Sequence, residues 1–191
     1  MGLLKSREKT DDTSAFEWRN VPIFADLYTY WQSLRRGEKL PRAEEVDMLA
    51  ILPLLPELSL FDMVATGEII CRFVGTAICD RLGHDLTGRN ICLQQATTMR
   101  DRARRAYEGM AAHPCGMIAR YVNHYNTGSQ GIVSSFYLPL IAPDGSTRIA
   151  GVGYREEKAD YAPPINETLI VTDVLSVDWL DIGFGVPANV G

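Results

Sequence analysis

Asp80, His84 and Asp85 are the residues whose types and spacing best suit acid–base chemistry. A carboxylate beside an imidazole can orient the ring and leave its far nitrogen to take a proton. No serine or cysteine nucleophile is tied to them by a recognisable motif, so the trio reads first as turn-capping aspartates around an exposed histidine. His84, His113 and His124 are the only histidines, and Cys71, Cys79, Cys92 and Cys115 are scattered with no CxxC pair. A metal centre needs tighter clustering, so none is expected and the cysteines read as small buried hydrophobes. Arg100, Arg102, Arg104 and Arg105 crowd one segment. Helical spacing puts Arg100 and Arg104 on one face, which suits an acidic partner or a phosphorylated ligand, while Asp101 and Glu108 point to a plain solvated face.

The surrounding composition is that of an ordinary globule: 191 residues, 46% hydrophobic, 23% charged, net charge −5. That length suits one domain with terminal extensions and a core that needs neither disulfide nor metal. The acidic balance argues against nucleic-acid binding, which favours a basic face. No run reaches the roughly 18 to 20 apolar residues of a membrane span. The N-terminus lacks the apolar core of a signal peptide, and Lys5 spoils the loose acylation outline of Met1-Gly2 with Ser6. A cytoplasmic protein that engages neither nucleic acid nor membrane is expected, its cysteines reduced.

Several elements must position these side chains. Residues 1–19 are polar and mixed in charge, which predicts a disordered tail. Phe24, Leu27, Tyr28, Trp31 and Leu34 fall at helical spacing and predict a helix over 22–36. Its apolar stripe must cover its own sheet or a second copy, and those five residues are the candidate dimer interface. A proline-punctuated connector follows, with a short helical piece over 44–52. Strands are predicted over 58–65 and 68–75 around the Thr66-Gly67 turn, then a short helix over 76–82. Thr98-Met99-Arg100-Asp101 has the capping-box pattern and opens a longer helix over 99–112. Three more strands are predicted over 115–125, 132–141 and 147–156, the last two joined at Asp144-Gly145. Beyond Ala162-Pro163-Pro164, the stretch 168–182 is apolar enough to be extended and packed. The expected organisation is a tail (1–19), a helix with connector (20–56), a domain (57–157) and a C-terminal extension (158–191). The fold class is α+β, with five antiparallel strands and helices between the second and third.

This order resembles the PAS superfamily, and more closely a family of small, mostly stand-alone bacterial PAS-like proteins. Tyr30-Trp31, Arg35-Arg36-Gly37, Leu54-Leu55-Pro56 and Leu60-Phe61-Asp62 carry the likeness, with Arg72-Phe73-Val74-Gly75-Thr76, the run from Gly83 to Arg89 and Leu138-Pro139-Leu140. The resemblance implies a sheet and long helix that enclose a small molecule, and dimerisation through the helix before the first strand. Arg89-Asn90-Ile91-Cys92-Leu93-Gln94 resembles the reactive-cysteine motif of flavin-binding blue-light PAS domains, except that Ile91 separates the asparagine from the cysteine. Adduct chemistry needs the sulfur held against one ring carbon, so flavin is not expected. Haem-binding PAS domains carry a proximal histidine within the long helix. This helix has none, and haem is not expected either.

A cavity should be lined by Met99, Tyr107 and Met110 from the long helix and by Tyr121, Ser134, Phe136 and Tyr137 from the strands, the inward parity of the strands being open. Ser134, Ser135 and Tyr137 would offer hydrogen bonds in an otherwise apolar space, with plain core packing as the competing reading. The expected function is a non-enzymatic, homodimeric sensory or regulatory module. The stretch after Pro164 is too short for a kinase, cyclase or standard DNA-binding unit, so the signal is expected to leave through altered contacts with a partner protein. The alternatives are an isomerase- or hydrolase-like enzyme on a cone-shaped α+β fold, with Asp80 and His84 as its acid–base pair, and an unliganded interaction scaffold.

Overall fold

The computed structural model describes residues 17–37, 39–64, 66–156 and 167–187. Most of the expected tail and the Ala162-Pro163-Pro164 break lie outside the described residues. The elements are α1 (Pro22–Leu34), β1 (Leu58–Met63), β2 (Ile69–Val74), α2 (Thr76–Leu82), α3 (Arg100–Ala112), β3 (Gly116–Tyr125), β4 (Gln130–Ile141), β5 (Thr147–Arg155) and β6 (Leu169–Leu180). The strands form one antiparallel sheet in the order β2-β1-β5-β4-β3-β6. The fold is α+β as expected, but the sheet has six strands rather than five. The apolar stretch of the C-terminal extension is itself a full strand, paired along β3 from Gly116 to Tyr125.

Side chains alternate across each strand, so every strand feeds two cores. One face carries Leu58, Phe136, Leu138 and Val152 against α1. The other carries Phe61, Met117, Tyr137 and Ile149 against α2 and α3. Coverage on both sides explains why β4 is buried almost without break from Gly131 onward.

The α1 stripe read as a dimer interface lies against its own sheet. Phe24, Leu27 and Trp31 are 0%, 3% and 1% exposed, with Tyr28 and Leu34 half-buried. Trp31 Nε1–H donates to the Pro139 carbonyl at 2.8 Å. β3 pairs with β4 only as far as Tyr137, so this carbonyl has no β3 partner opposite. The expected tail boundary at 19 also shifts. Trp18 is buried in a short 3-10 turn and stacks on Phe136 at 5.1 Å between ring centroids. The Thr98 capping box does not form: a 3-10 turn over Thr97–Met99 leads into α3, and Met99 occupies its N-cap without a side-chain bond.

Asp62 ties three strands together. Its carboxylate accepts from Arg148 Nε at 2.6 Å and Nη2 at 2.9 Å on β5, and from Arg72 Nε at 2.7 Å on β2. Burial pushes the carboxyl up, but the two guanidiniums outweigh it and hold the group below its ordinary value. A depressed folded value means that the stabilisation is present above the unfolded carboxyl's about 3.9 and lost as pH falls through the folded one. Urea unfolding at pH 7 and pH 3 should therefore show a loss of stability on acidification that is smaller in Asp62→Asn. Parallel pH profiles for the two proteins would contradict this.

Candidate functional site

The sheet and the α2–α3 layer do not close fully on each other. Between them lies a cavity of about 110 Å³, several times the about 10–15 Å³ that a single water needs. Strand alternation turns Phe61 of β1, Tyr121 of β3 and Ser135 and Tyr137 of β4 into this space. Ile78, Leu82, Ala106 and Tyr107 of the two helices face them. Two glycines of β5 keep the wall low. A Cβ on Gly151 would meet Tyr137 ring atoms at 2.3 and 2.5 Å, and one on Gly153 would lie 2.8 Å from Arg81 Nη2. The Tyr137 ring and the Arg81 guanidinium therefore lie across bare backbone.

Arg81 projects from α2, and its side chain is 9% exposed. It donates to both oxygens of Glu57, at 3.0 and 2.9 Å, from the turn that precedes β1. Burial pulls the guanidinium's pKa down, and Glu57 more than restores it, so the guanidinium stays charged. Several of the other polar groups are paired among themselves. Tyr121 and Ser135 hydroxyls lie 2.7 Å apart. Asn123, 1% exposed, accepts from Thr172 Oγ1 at 3.0 Å and donates to the Tyr125 hydroxyl at 3.3 Å. Burial raises the Tyr107 and Tyr121 pKa values, so both phenols are neutral.

The rim is the 3-10 turn Ile91–Gln94 with Gln95, capped by Asn90 Oδ1, which accepts from the Cys92 N–H at 3.1 Å. Ala96 N–H donates to the Thr172 carbonyl at 3.2 Å, clipping this rim to β6. Cys92 reaches the cavity as a buried thiol whose pKa burial pushes up to about 11. Gln95 Oε1 lies buried with no hydrogen-bond partner among the described residues.

Of the expected lining residues, Tyr107, Tyr121 and Tyr137 stand in the wall. Met110 is fully buried in the same core without facing the space, and Met99 is half-buried at the helix start. Ser134 and Phe136 belong to the opposite face. Ser134 donates to Glu156, and Phe136 packs on Phe24. On β4 the inward parity is that of Ser135 and Tyr137. The Asp80 and His84 pair is not part of the cavity: Asp80 is exposed and His84 half-buried. Two of the four arginines in the run are tied up, Arg100 on the Gln95 and Leu93 carbonyls and Arg104 on Glu108 and Asp101. Of that run, Arg102 alone lines the cavity. Among the described residues no three histidine, cysteine or acidic side chains gather as a metal site would require.

Sequence reasoning missed Arg81 and Glu57, whose meeting across 24 residues has no local signature. It also missed the wall supplied by β6 through Leu169, Thr172, Val174 and Val177.

An antiparallel sheet with α2 and α3 folded over one face, and a cavity between the layers, is the architecture of a PAS-type sensory domain. The family described as PAS domain matches residues 19–153, and the chain belongs to that family. Members of the family generally serve as signalling modules and commonly mediate protein interactions. Among solved structures, the chain is similar to a light-oxygen-voltage domain studied with a flavin analogue, at 14% identity and a TM-score of 0.45, covering 58% of this chain and 84% of that one. It is also similar to the LOV domain of a fungal photoreceptor (19%, TM-score 0.43, covering 59% and 94%) and to the PAS domain of an HTR-like protein from Haloarcula marismortui (19%, TM-score 0.38, covering 56% and 96%). A search of curated proteins gave no match. Among the described residues no helix is long and apolar enough to cross a membrane.

Proposed function

We propose that this chain is a cytoplasmic sensory module that holds a small molecule in the cavity and reports occupancy by changing its contacts with a partner protein. The observation that carries this reading is an apolar space bounded by α2, α3 and the sheet, in which nearly every buried polar group already has a partner. Such a space suits a ligand better than it suits a catalytic centre, because among the described residues no paired acid and base converge on it. A packed, unliganded scaffold would have filled it.

β6 is the route by which occupancy reaches the surface. It lines the cavity, then runs into a turn in which Asp181 Oδ1 accepts from the N–H groups of Gly183, Phe184 and Gly185 at 2.7, 3.1 and 2.9 Å. Arg35, at the end of α1, grips that turn, donating to the Ile182 carbonyl at 2.6 Å and lying over the Phe184 ring. A ligand that binds one arrangement of β6 better than another would shift this junction. With the α1 stripe inside the chain, homodimer contact falls to other surfaces, among them the exposed Ile170 and Leu175 of β6.

Native mass spectrometry of freshly purified protein should show a bound small mass that is lost on denaturation, and the same spectrum reports the oligomeric state. Ligand-stripped protein should melt at a lower temperature. Protein that carries no extra mass and is stabilised by no member of a small-molecule panel would overturn the reading.

A further inference from the structure

The sheet has two outer edges, and the chain treats them differently. Along β2, the Cys71 N–H donates to the Arg89 carbonyl at 3.0 Å and the Gly88 N–H to the Cys71 carbonyl at 2.8 Å, so residues 88–90 occupy that edge. β6 is the other edge. Ala96 clips it at the Thr172 carbonyl, and the Asp181 turn ends it. Between these limits, among the described residues, the backbone of Val174–Leu180 pairs with β3 alone. Open edges are commonly guarded by lysine or proline. This stretch, Val-Leu-Ser-Val-Asp-Trp-Leu, holds neither. Its register shift falls at Leu175, and Ser176–Leu180 beyond it is regular.

The residue order is self-complementary about Val177. Laid antiparallel against a second copy, Val177 meets the partner's Val177, Leu175 meets Trp179, and Ser176 meets Asp178. Alternation puts Leu175, Val177 and Trp179 on the side of the α2–α3 layer, where Val177 and Trp179 pack against the core. Leu175 is 47% exposed, and a facing Trp179 would cover it. On the opposite side the Ser176 hydroxyl can donate to the facing Asp178 carboxylate, and no two like charges stand directly opposite. Centring the pair on Asp178 instead would set two carboxylates face to face.

We infer that β6 pairs edge to edge with β6 of a second copy of this chain, antiparallel about Val177, joining two sheets into one. The inference deepens the homodimer part of the proposed function and stands apart from the ligand part. So short a ladder belongs with small, transient interfaces, so association should rise with concentration rather than be complete.

Sedimentation velocity from micromolar to near-millimolar concentration is expected to show a monomer–dimer equilibrium. Lysine at two adjacent positions tests the register. Leu175→Lys sets a charge against Trp179 and should weaken dimerisation about tenfold. Ser176→Lys faces Asp178 and should tighten it about threefold. Arg120, its neighbour on β3, is already held by Glu156. Tightening cannot come from misfolding, so this variant decides even if Leu175→Lys unfolds. A Ser176→Lys protein that dimerises no better than the parent, or a dimer that Leu175→Lys leaves intact, overturns this inference alone. A parent protein that stays monomeric near millimolar concentration overturns the homodimer reading with it. The mass of a bound ligand judges the cavity reading separately in each case.

Discussion

Truncation of Trp31 to alanine is expected to lower unfolding free energy by about 3–5 kcal/mol, the range for deleting a large buried aromatic. Trp31 is 1% exposed, packs on the sheet from α1 and satisfies the Pro139 carbonyl at 2.8 Å. Alanine would leave both a void and an unpaired acceptor. Trp31→Phe should cost less, because the ring is retained and only the hydrogen bond and some volume are lost. Urea unfolding of the three proteins measures the series, and a loss below about 1.5 kcal/mol for alanine would show that α1 docks only loosely. The experiment also bears on assembly. If the stripe served a second copy rather than its own sheet, the penalty would vary with protein concentration.

The second large effect is expected at the cavity wall. Arg81→Met should cost about 3 kcal/mol, at the lower end for breaking a buried ion pair, since the Glu57 side chain keeps 26% exposure and some solvent. The loss comes less from the missing attraction than from the carboxylate stranded beside an apolar cavity. Glu57→Gln added to Arg81→Met should therefore recover much of the stability, making the pair strongly non-additive. A double variant whose cost equals the sum of the single ones would show that the two groups do not act together.

The elements were legible where the pattern is local. The stripe of Phe24, Leu27 and Trp31 marked α1, and Asp144-Gly145 marked the turn into β5. Helical period reveals an apolar face but not what covers it, which is why the same stripe was open to a dimer reading. The sixth strand was visible as an apolar extended run, yet its pairing with β3 spans some fifty residues and leaves no trace in either segment. Thr98 misled because a 3-10 turn offers the backbone another way to begin α3. In the site, the three tyrosines were legible, while Ser134 and Phe136 fell on the wrong side through a parity that only strand register decides. One available signal was not used: Gly151 and Gly153, two apart in an apolar strand, lie on one face and mark a bare strip where something else must fit.

The position of β6 also sets an order of events during synthesis. Residues 169–180 leave the ribosome after the other five strands, and the family match ends before them, at residue 153. Until they arrive, β3 is an open edge with a row of unpaired backbone groups, and the cavity lacks the side formed by Thr172, Val174 and Val177. The nascent domain is therefore a cup before it is a vessel. Pairing of the last strand with β3 is the step that completes this side of the cavity.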